Sequence, residues 1–229
     1  GKEFLSYANK VLSSFQEMEE FARGEQKKKR VVVSSSLSMG EVFLSPLFKP
    51  LEEQGEYDFT YRIETGDQVI ADIETGRSDI GFIEGGVYGK ELEAKHLFSD
   101  RLALVSSPSF PIPKRIVSER LADYPILLRN PGSGTRSIFD SAISPKSVRL
   151  SVKAESVSNV ALIEMAKKGF GVAVVPFALV KEDVRNGLLK TSEIIGVPFN
   201  RTFTLIWRKN VLYPELIESI ASSFSRFEF

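Results

Sequence analysis

Residues 127–139 read LLRNPGSGTRSIF: an apolar run, then Gly132, Ser133, Gly134, Thr135 and Arg136, then apolar residues again. A strand hands over to a helix here through a loop of glycines, hydroxyls and one guanidinium. Such a loop suits a phosphate cradle, a nucleophilic serine, or a hydrogen-bonding clamp on a small molecule. The same layout recurs at three other places. Ser34-Ser35-Ser36-Leu37-Ser38 precedes Met39, Gly66-Asp67-Gln68 precedes Val69, and Ser156-Val157-Ser158-Asn159 precedes Val160. In open parallel sheets these loops lie at the carboxyl ends of the strands, the edge where ligands bind. Free amides and the helix dipole favour an anion there. Any one Ser, Thr, Asp or Asn in such a loop is most simply an N-cap. Two loops in each half of the chain exceed that simple reading.

Outward from these loops, strands and helices alternate. Val31–Ser36 is β-branched, 39–54 has helical spacing, and 57–64 alternates with a period of two. Residues 67–75 form a short helix closed by Gly76, followed by strands at 79–83 and 101–105. Pro108, Pro111 and Pro113 break regular structure. Strand cores follow at 126–128, 150–152 and 172–175, with helices at 134–143 and 158–168. A late strand at 202–207 leads to a final helix over 214–227. The pattern predicts an α/β fold of two Rossmann-like lobes, with parallel sheets covered by helices on both faces. A cleft at the lobe junction is then the natural ligand site.

At the N-terminus, Phe4, Ala8, Val11, Phe15, Met18 and Ala22 are spaced alternately by four and three residues, the seam of a coiled coil. One helix over 2–23, capped by Gly24, accounts for it. An amphipathic helix packed on its own domain has the same pattern, but the polar stretch that follows favours pairing with a second copy. The Lys27–Arg30 run reads as a solvated linker rather than a nucleic-acid patch.

The chain has 229 residues, 42% apolar and 26% charged, and its thirty basic residues balance thirty acidic ones. That balance argues against nucleic-acid binding by this segment as a whole. Cysteine is absent and His96 is the only histidine, so disulfides, thiolate metal sites and cysteine nucleophiles are excluded. A serine triad has only His96 as its base, in a charged segment where a surface role is simpler. Neither G-x-x-x-x-G-K-[ST], G-x-G-x-x-G nor G-x-S-x-G occurs. No cofactor is expected, and the loops read as a clamp rather than a catalytic site. No apolar run approaches the ~20 residues of a membrane helix, and no signal-peptide pattern opens the chain.

Taken in order, the segments VVVSSSLSMGEVFLSPLFKPLEE, IETGDQVIADIETGRSDIGFIEG, LFSDRLALVSSPSFP, LLRNPGSGTRSIFDSAI and AESVSNVALIEMAKKGFGVAVVPFALV resemble the effector-binding region of LysR-type transcriptional regulators. The resemblance implies the type 2 periplasmic-binding-protein fold behind a linker helix. Its expected divisions are a linker and dimerisation helix over 1–25, lobe I over 26–107 and 203–229, and lobe II over 108–202. It implies a cytoplasmic regulator that is not an enzyme and binds a small polar or anionic effector. It also implies a homodimer or homotetramer formed through lobe surfaces and the linker helix. Promoter DNA would be met only through a winged helix-turn-helix domain preceding Gly1, and no membrane is involved. Carried over by position, the ligand-binding residues are Ser36, Ser38, Met39, Gln68 and Glu84 in lobe I, and Ser133, Thr135, Arg136, Ser158 and Asn159 in lobe II. A periplasmic-type solute-binding protein is the alternative; it predicts export and a monomer. Enzymes on this fold need a cofactor-bearing cysteine or a diphosphate loop, and neither is found.

Overall fold

The computed structural model describes residues 28–87, 91–211 and 213–224, and in the N-terminal segment Phe4, Ala8, Val11, Leu12, Phe15, Met18, Glu19 and Ala22, all of them helical. The expected Gly24 cap, Lys27 of the basic run and the last turn of the final helix, 225–227, lie outside the described residues. In chain order the first elements are β1 (Lys29–Ser36), α1 (Leu37–Val42), α2 (Leu44–Glu53), β2 (Tyr57–Glu64), α3 (Gly66–Thr75), β3 (Ile80–Glu84) and β4 (Leu92–Ser106). Then follow β5 (Arg115–Ile116), a 3-10 turn (Ser118–Asp123), β6 (Pro125–Arg129), α4 (Gly134–Ile143), a second 3-10 turn (Ser144–Lys146), β7 (Ser151–Ser156), α5 (Asn159–Lys167) and β8 (Val172–Pro176). The last are α6 (Phe177–Arg185), β9 (Lys190–Ile194), β10 (Asn200–Arg208) and α7 (Pro214–Phe224). The chain divides into unit 1, Gly1–Phe98 with Thr202–Glu228, and unit 2, which includes Ser99–Arg201.

In unit 1, β1 lies parallel to both β2 and β3, with Val33 opposite Tyr61 and Ile80. β10 returns antiparallel to β3. α3 covers one face, where Val69 and Ile73 pack with Ile83 and Ile206. A side chain on Gly81 would meet Ile206 and Val69 at 2.9 Å, so glycine is what lets α3 sit this close. Elsewhere in the unit, rings interlock: Phe98 lies 4.7 Å from both Phe43 and Phe203 and 5.1 Å from Phe224. Such pairs add about 0.5–1.5 kcal/mol each beyond their buried area. At the start of β1, Lys29 Nζ donates to Glu56 (2.8 Å) and Glu215 (3.2 Å) and stands 5.3 Å from the rings of Tyr57 and Tyr213. The two carboxylates hold the ammonium pKa above its usual value.

The helix expected over 39–54 is two helices, α1 and α2, that meet at Phe43. Pro46 has no N–H to give the carbonyl of Val42, so the hydrogen-bond ladder restarts there. Pro50 then falls inside α2 without ending it.

In unit 2, β6 is parallel to β7 and β8, while β4 runs antiparallel to β8 and β9, and β9 takes the short β5 alongside. The sheets are therefore mixed, not purely parallel as expected. Helices do cover both faces here. Phe139 and Ile143 of α4 belong to one apolar cluster; Leu162, Ile163 and Ala166 of α5 belong to the other. A Cβ on Gly171 would collide with the carbonyl of Pro125, so glycine opens β8 beside β6.

Residues 107–114 carry no strand or helix, in line with the three prolines. The change of unit, however, falls at Phe98/Ser99 and not at the expected 107/108. The reason is β4, which stays extended through the change and offers no turn residue to read. Its first half contains His96, exposed, in a stretch that looked merely charged. The return falls at Arg201/Thr202, one residue from expectation. β9 and α6 were not read from the sequence at all.

Next to both changes of unit, within unit 2, Arg201 Nη2 donates to Asp100 Oδ2 at 2.8 Å, with side-chain exposures of 0% and 6%. A buried pair holds only while both partners are present, since either charge alone lacks compensation. Asp100→Ala should therefore cost about 3–5 kcal/mol of stability, read as a drop in the urea midpoint at unchanged slope; a loss under 1 kcal/mol would show that the pair is not the fastening described.

Candidate functional site

Within each unit the two polar loops share one edge. β1 and β2 are parallel neighbours in register to their last residues, Ser36 opposite Glu64, and each runs directly into a helix. β6 and β7 are likewise parallel, Arg129 opposite Ser156, leading to α4 and α5. The loops thus stand where parallel strands deliver them, at the carboxyl ends.

Several predicted residues are engaged in building their own helices. Ser133 Oγ accepts from the amide of Arg136 (3.1 Å), and Ser158 Oγ from that of Ala161 (3.2 Å). Thr65, which the sequence reading passed over, caps α3 by accepting from Gln68 N at 3.4 Å. For these hydroxyls the plain N-cap role is what the structure has. Gln68 is engaged too: its Nε2 donates to Asp72 Oδ1 at 2.7 Å, and Asp72 is fully buried and also receives Arg77.

Arg136 is not an open cation. Its Nε donates to Asp140 (2.7 Å), and its Nη1 to Glu155 (2.7 Å) and to the carbonyl of Arg129 (3.0 Å). Burial alone would lower its pKa, but the hydrogen bonds it donates to Glu155 and Asp140 more than reverse this and keep it charged. Two carboxylates already neutralise this guanidinium.

Two hydroxyls are left over. Ser36 stands at the N-cap position of α1 yet makes no side-chain capping bond; it is 3% exposed and its Oγ has no hydrogen-bond partner. Thr135, in the first turn of α4, is 2% exposed and its Oγ1 likewise has none. A buried polar group without a partner costs about 1–3 kcal/mol, so each position carries a penalty that a ligand could relieve. Ser38 and Met39 are buried in α1, Met39 completely; Glu84 ends β3, half-buried; and Asn159 opens α5 fully buried. Sequence reading missed Glu64, whose Oε2 is also buried and unpartnered. Its signal was there: it closes the alternating strand and faces Ser36 across the ladder.

Unit 2 also contains a cavity of about 370 Å³ lined by Arg101, Leu104, Ser192, Glu193, Val197 and Phe199, none of them a predicted site residue. Among the described residues there is no cluster of metal-ligating side chains, and no helix is long and apolar enough to cross a membrane.

The fold and its paired strand-end loops define an α/β binding module. Residues 24–224 match the family model of the LysR substrate binding domain, and the chain belongs to that family. It is 22% identical over 215 residues to the transcriptional activator CmpR of Synechocystis sp., covering 92% of this chain and 70% of the relative. It is 21% identical over 217 residues to the RuBisCO operon transcriptional regulator of Allochromatium vinosum, covering 91% and 70%. Among solved structures, the regulatory domain of Synechocystis CcmR in complex with 2-PG superposes with a TM-score of 0.78 at 15% identity, covering 87% of this chain and 99% of that one. A full-length OxyR variant from Pseudomonas aeruginosa gives a TM-score of 0.76 at 21% identity, covering 99% and 75%. These structures show the fold, the type 2 periplasmic-binding-like arrangement of LysR regulatory domains.

The division of labour among hydroxyls has a measurable signature. Ser133→Ala and Ser158→Ala should each lower stability by about 1 kcal/mol through loss of a cap. Ser36→Ala and Thr135→Val should leave it unchanged or raise it by up to about 1 kcal/mol, because each removes an unsatisfied group. Chemical denaturation of the four variants checks both halves, and a reversed order would contradict the assignment.

Proposed function

We propose that the chain binds a small effector, that Ser36 and Ser38 in unit 1 and Thr135 and the α4 and α5 termini in unit 2 are its ligand-contacting groups, and that binding is transmitted to a DNA-binding domain of the full-length regulator. The observation that carries this reading is the pair of buried, unpartnered hydroxyls, Ser36 Oγ and Thr135 Oγ1. In the Thr135 loop the neighbouring Ser133 is engaged in capping, and in the Ser36 loop Ser34 bonds Ser78 and Ser35 donates to the Ser36 carbonyl. LysR-type regulators bind effectors and DNA as oligomers, and the relatives are regulators of transcription rather than exported receptors. A ligand shifts such a protein only through its different affinity for two arrangements. A coupling of about 1–3 kcal/mol is enough to change operator affinity 5- to 150-fold.

The homodimer or homotetramer belongs to the same proposal, together with a cytoplasmic location and the absence of catalysis. Supporting self-association, the heptad seam is open: Phe4, Val11, Phe15 and Met18 are 52–78% exposed, so neither unit covers them. Tyr61 and Ile63 of the edge strand β2 and Val152 of the edge strand β7 are exposed as well, apolar patches suited to a second copy.

The double variant Ser36→Ala/Thr135→Val should abolish the effector-induced rise in melting temperature while the free protein melts normally. Retained effector stabilisation in that variant contradicts the site. Val11→Asp with Phe15→Glu should shift the mass measured by light scattering towards the monomer; an unchanged mass would remove the helix from the interface.

A further inference from the structure

In unit 2, β4 has β8 along one edge from Leu102 to Val105. Along its other edge the neighbour changes. Leu102 N donates to the carbonyl of Phe199 (2.9 Å), just before β10, while β9 joins only from Leu104, opposite Ser192. Between these two points the chain turns out and back: Gly196 has a φ of 72°, and Val197 N donates to the carbonyl of Ile194 (3.2 Å). The far edge of β9 is held away from β4, with Glu193 N bonded to Lys114 O (2.8 Å) and Ile195 N to Ile116 O (2.9 Å). The cavity of about 370 Å³ lies in this opening, and every residue lining it is in unit 2.

Its form follows from its walls. Leu102 and Leu104 face one apolar cluster and Ala103 the other, yet the cavity touches all three. It therefore runs along the strand edge, in the layer of the sheet, rather than on either face. A slot of that form admits a flat molecule and meets it with main-chain amides and carbonyls as well as apolar side chains. The lining residues carry one cation and one anion, Arg101 and Glu193. Arg101 lays its guanidinium over the ring of Phe177, 4.0 Å from the centroid, and Ser192 Oγ donates to the carbonyl of Pro113 (2.9 Å). The walls thus hold no surplus charge that would select an ion.

We propose that this slot is a second ligand site, for a flat uncharged ring with hydrogen-bonding groups on its edge, of the size of a pyrimidine or a nicotinamide. Such a molecule offers the open strand edge the donors and acceptors that an added strand would offer. The volume falls within the range of about 300–1,000 Å³ found for small-molecule sites. The inference goes beyond the strand-end loops and does not depend on them. Lining residues Arg101 and Asn200 are the chain neighbours of Asp100 and Arg201, the buried pair, so an occupant braces the two segments that the pair fastens.

The test uses this chain and paired probes that differ in charge or in flatness: uracil with orotate, nicotinamide with nicotinate, and benzamide with cyclohexanecarboxamide. Calorimetry should give at least one flat neutral probe an affinity about tenfold above that of its counterpart. Ser36→Ala/Thr135→Val should leave that affinity within about twofold, whereas Glu193→Trp, at an exposed position on the cavity wall, should weaken it about tenfold without lowering the melting temperature of the free protein. Crystals soaked with the bromo derivative of the tightest probe (5-bromouracil, 5-bromonicotinamide or 3-bromobenzamide) should show the bromine between Leu104 and Val197. Binding by none of the flat neutral probes, a preference for the charged or puckered counterparts, indifference to Glu193→Trp, or bromine outside the slot overturns the inference. Loss of binding in Ser36→Ala/Thr135→Val overturns it too, and assigns the probe to the strand-end loops.

Discussion

A guanidinium and a carboxylate, both closed off from water, fasten β10 to β4 where each strand changes from one unit to the other. β10 returns antiparallel to β3 in the sheet of unit 1, and β4 lies between β8 and β9 in unit 2, antiparallel to both. Apolar residues at this place would pack without fixing a register. A buried ion pair tolerates one geometry, because any slip leaves a desolvated charge without its partner.

Around that fastening, each unit uses its polar residues sparingly. Thr65, Ser133 and Ser158 satisfy amides of the helices that follow them, and the cation of the unit 2 loop is neutralised by Glu155 and Asp140. What distinguishes a candidate ligand group from a structural one is therefore not its type or position but whether its hydrogen bond is already made. Ser133 and Thr135 are two residues apart in one loop; the first is engaged and the second is not. The units also differ in electrostatic character: at the strand ends of unit 1 Glu64 has an unpartnered buried oxygen, while at the start of α4 in unit 2 the acid, Glu155, is paired with Arg136.

Much of this was legible in the residues alone. α4 matches its predicted 134–143 span, because Ser133 announces the cap and apolar residues recur at Ile138, Phe139 and Ile143. The four loops and the heptad seam were likewise readable, since both depend on local order along the chain. β9 escaped notice because Lys190–Ile194 is polar and pairs only with strands remote in sequence. The first half of β4 was hidden by its charges, which alternate with apolar residues that only the folded unit buries. At the site, the residue types were correct, but which of them remain unsatisfied depends on partners such as Asp72, Asp140 and Glu155. Those partners are ordinary helix or strand residues with no signature of their own.

The exposed seam of the N-terminal helix has a consequence for dilution. A helix of three heptads is marginal in water by itself, and Phe4, Val11, Phe15 and Met18 offer it no shelter against either unit. On the proposed pairing its burial follows mass action: scarce protomers leave the seam in water, and abundant ones bury it against each other. On that proposal the cellular copy number of such a sensor is a second input, read alongside the metabolite.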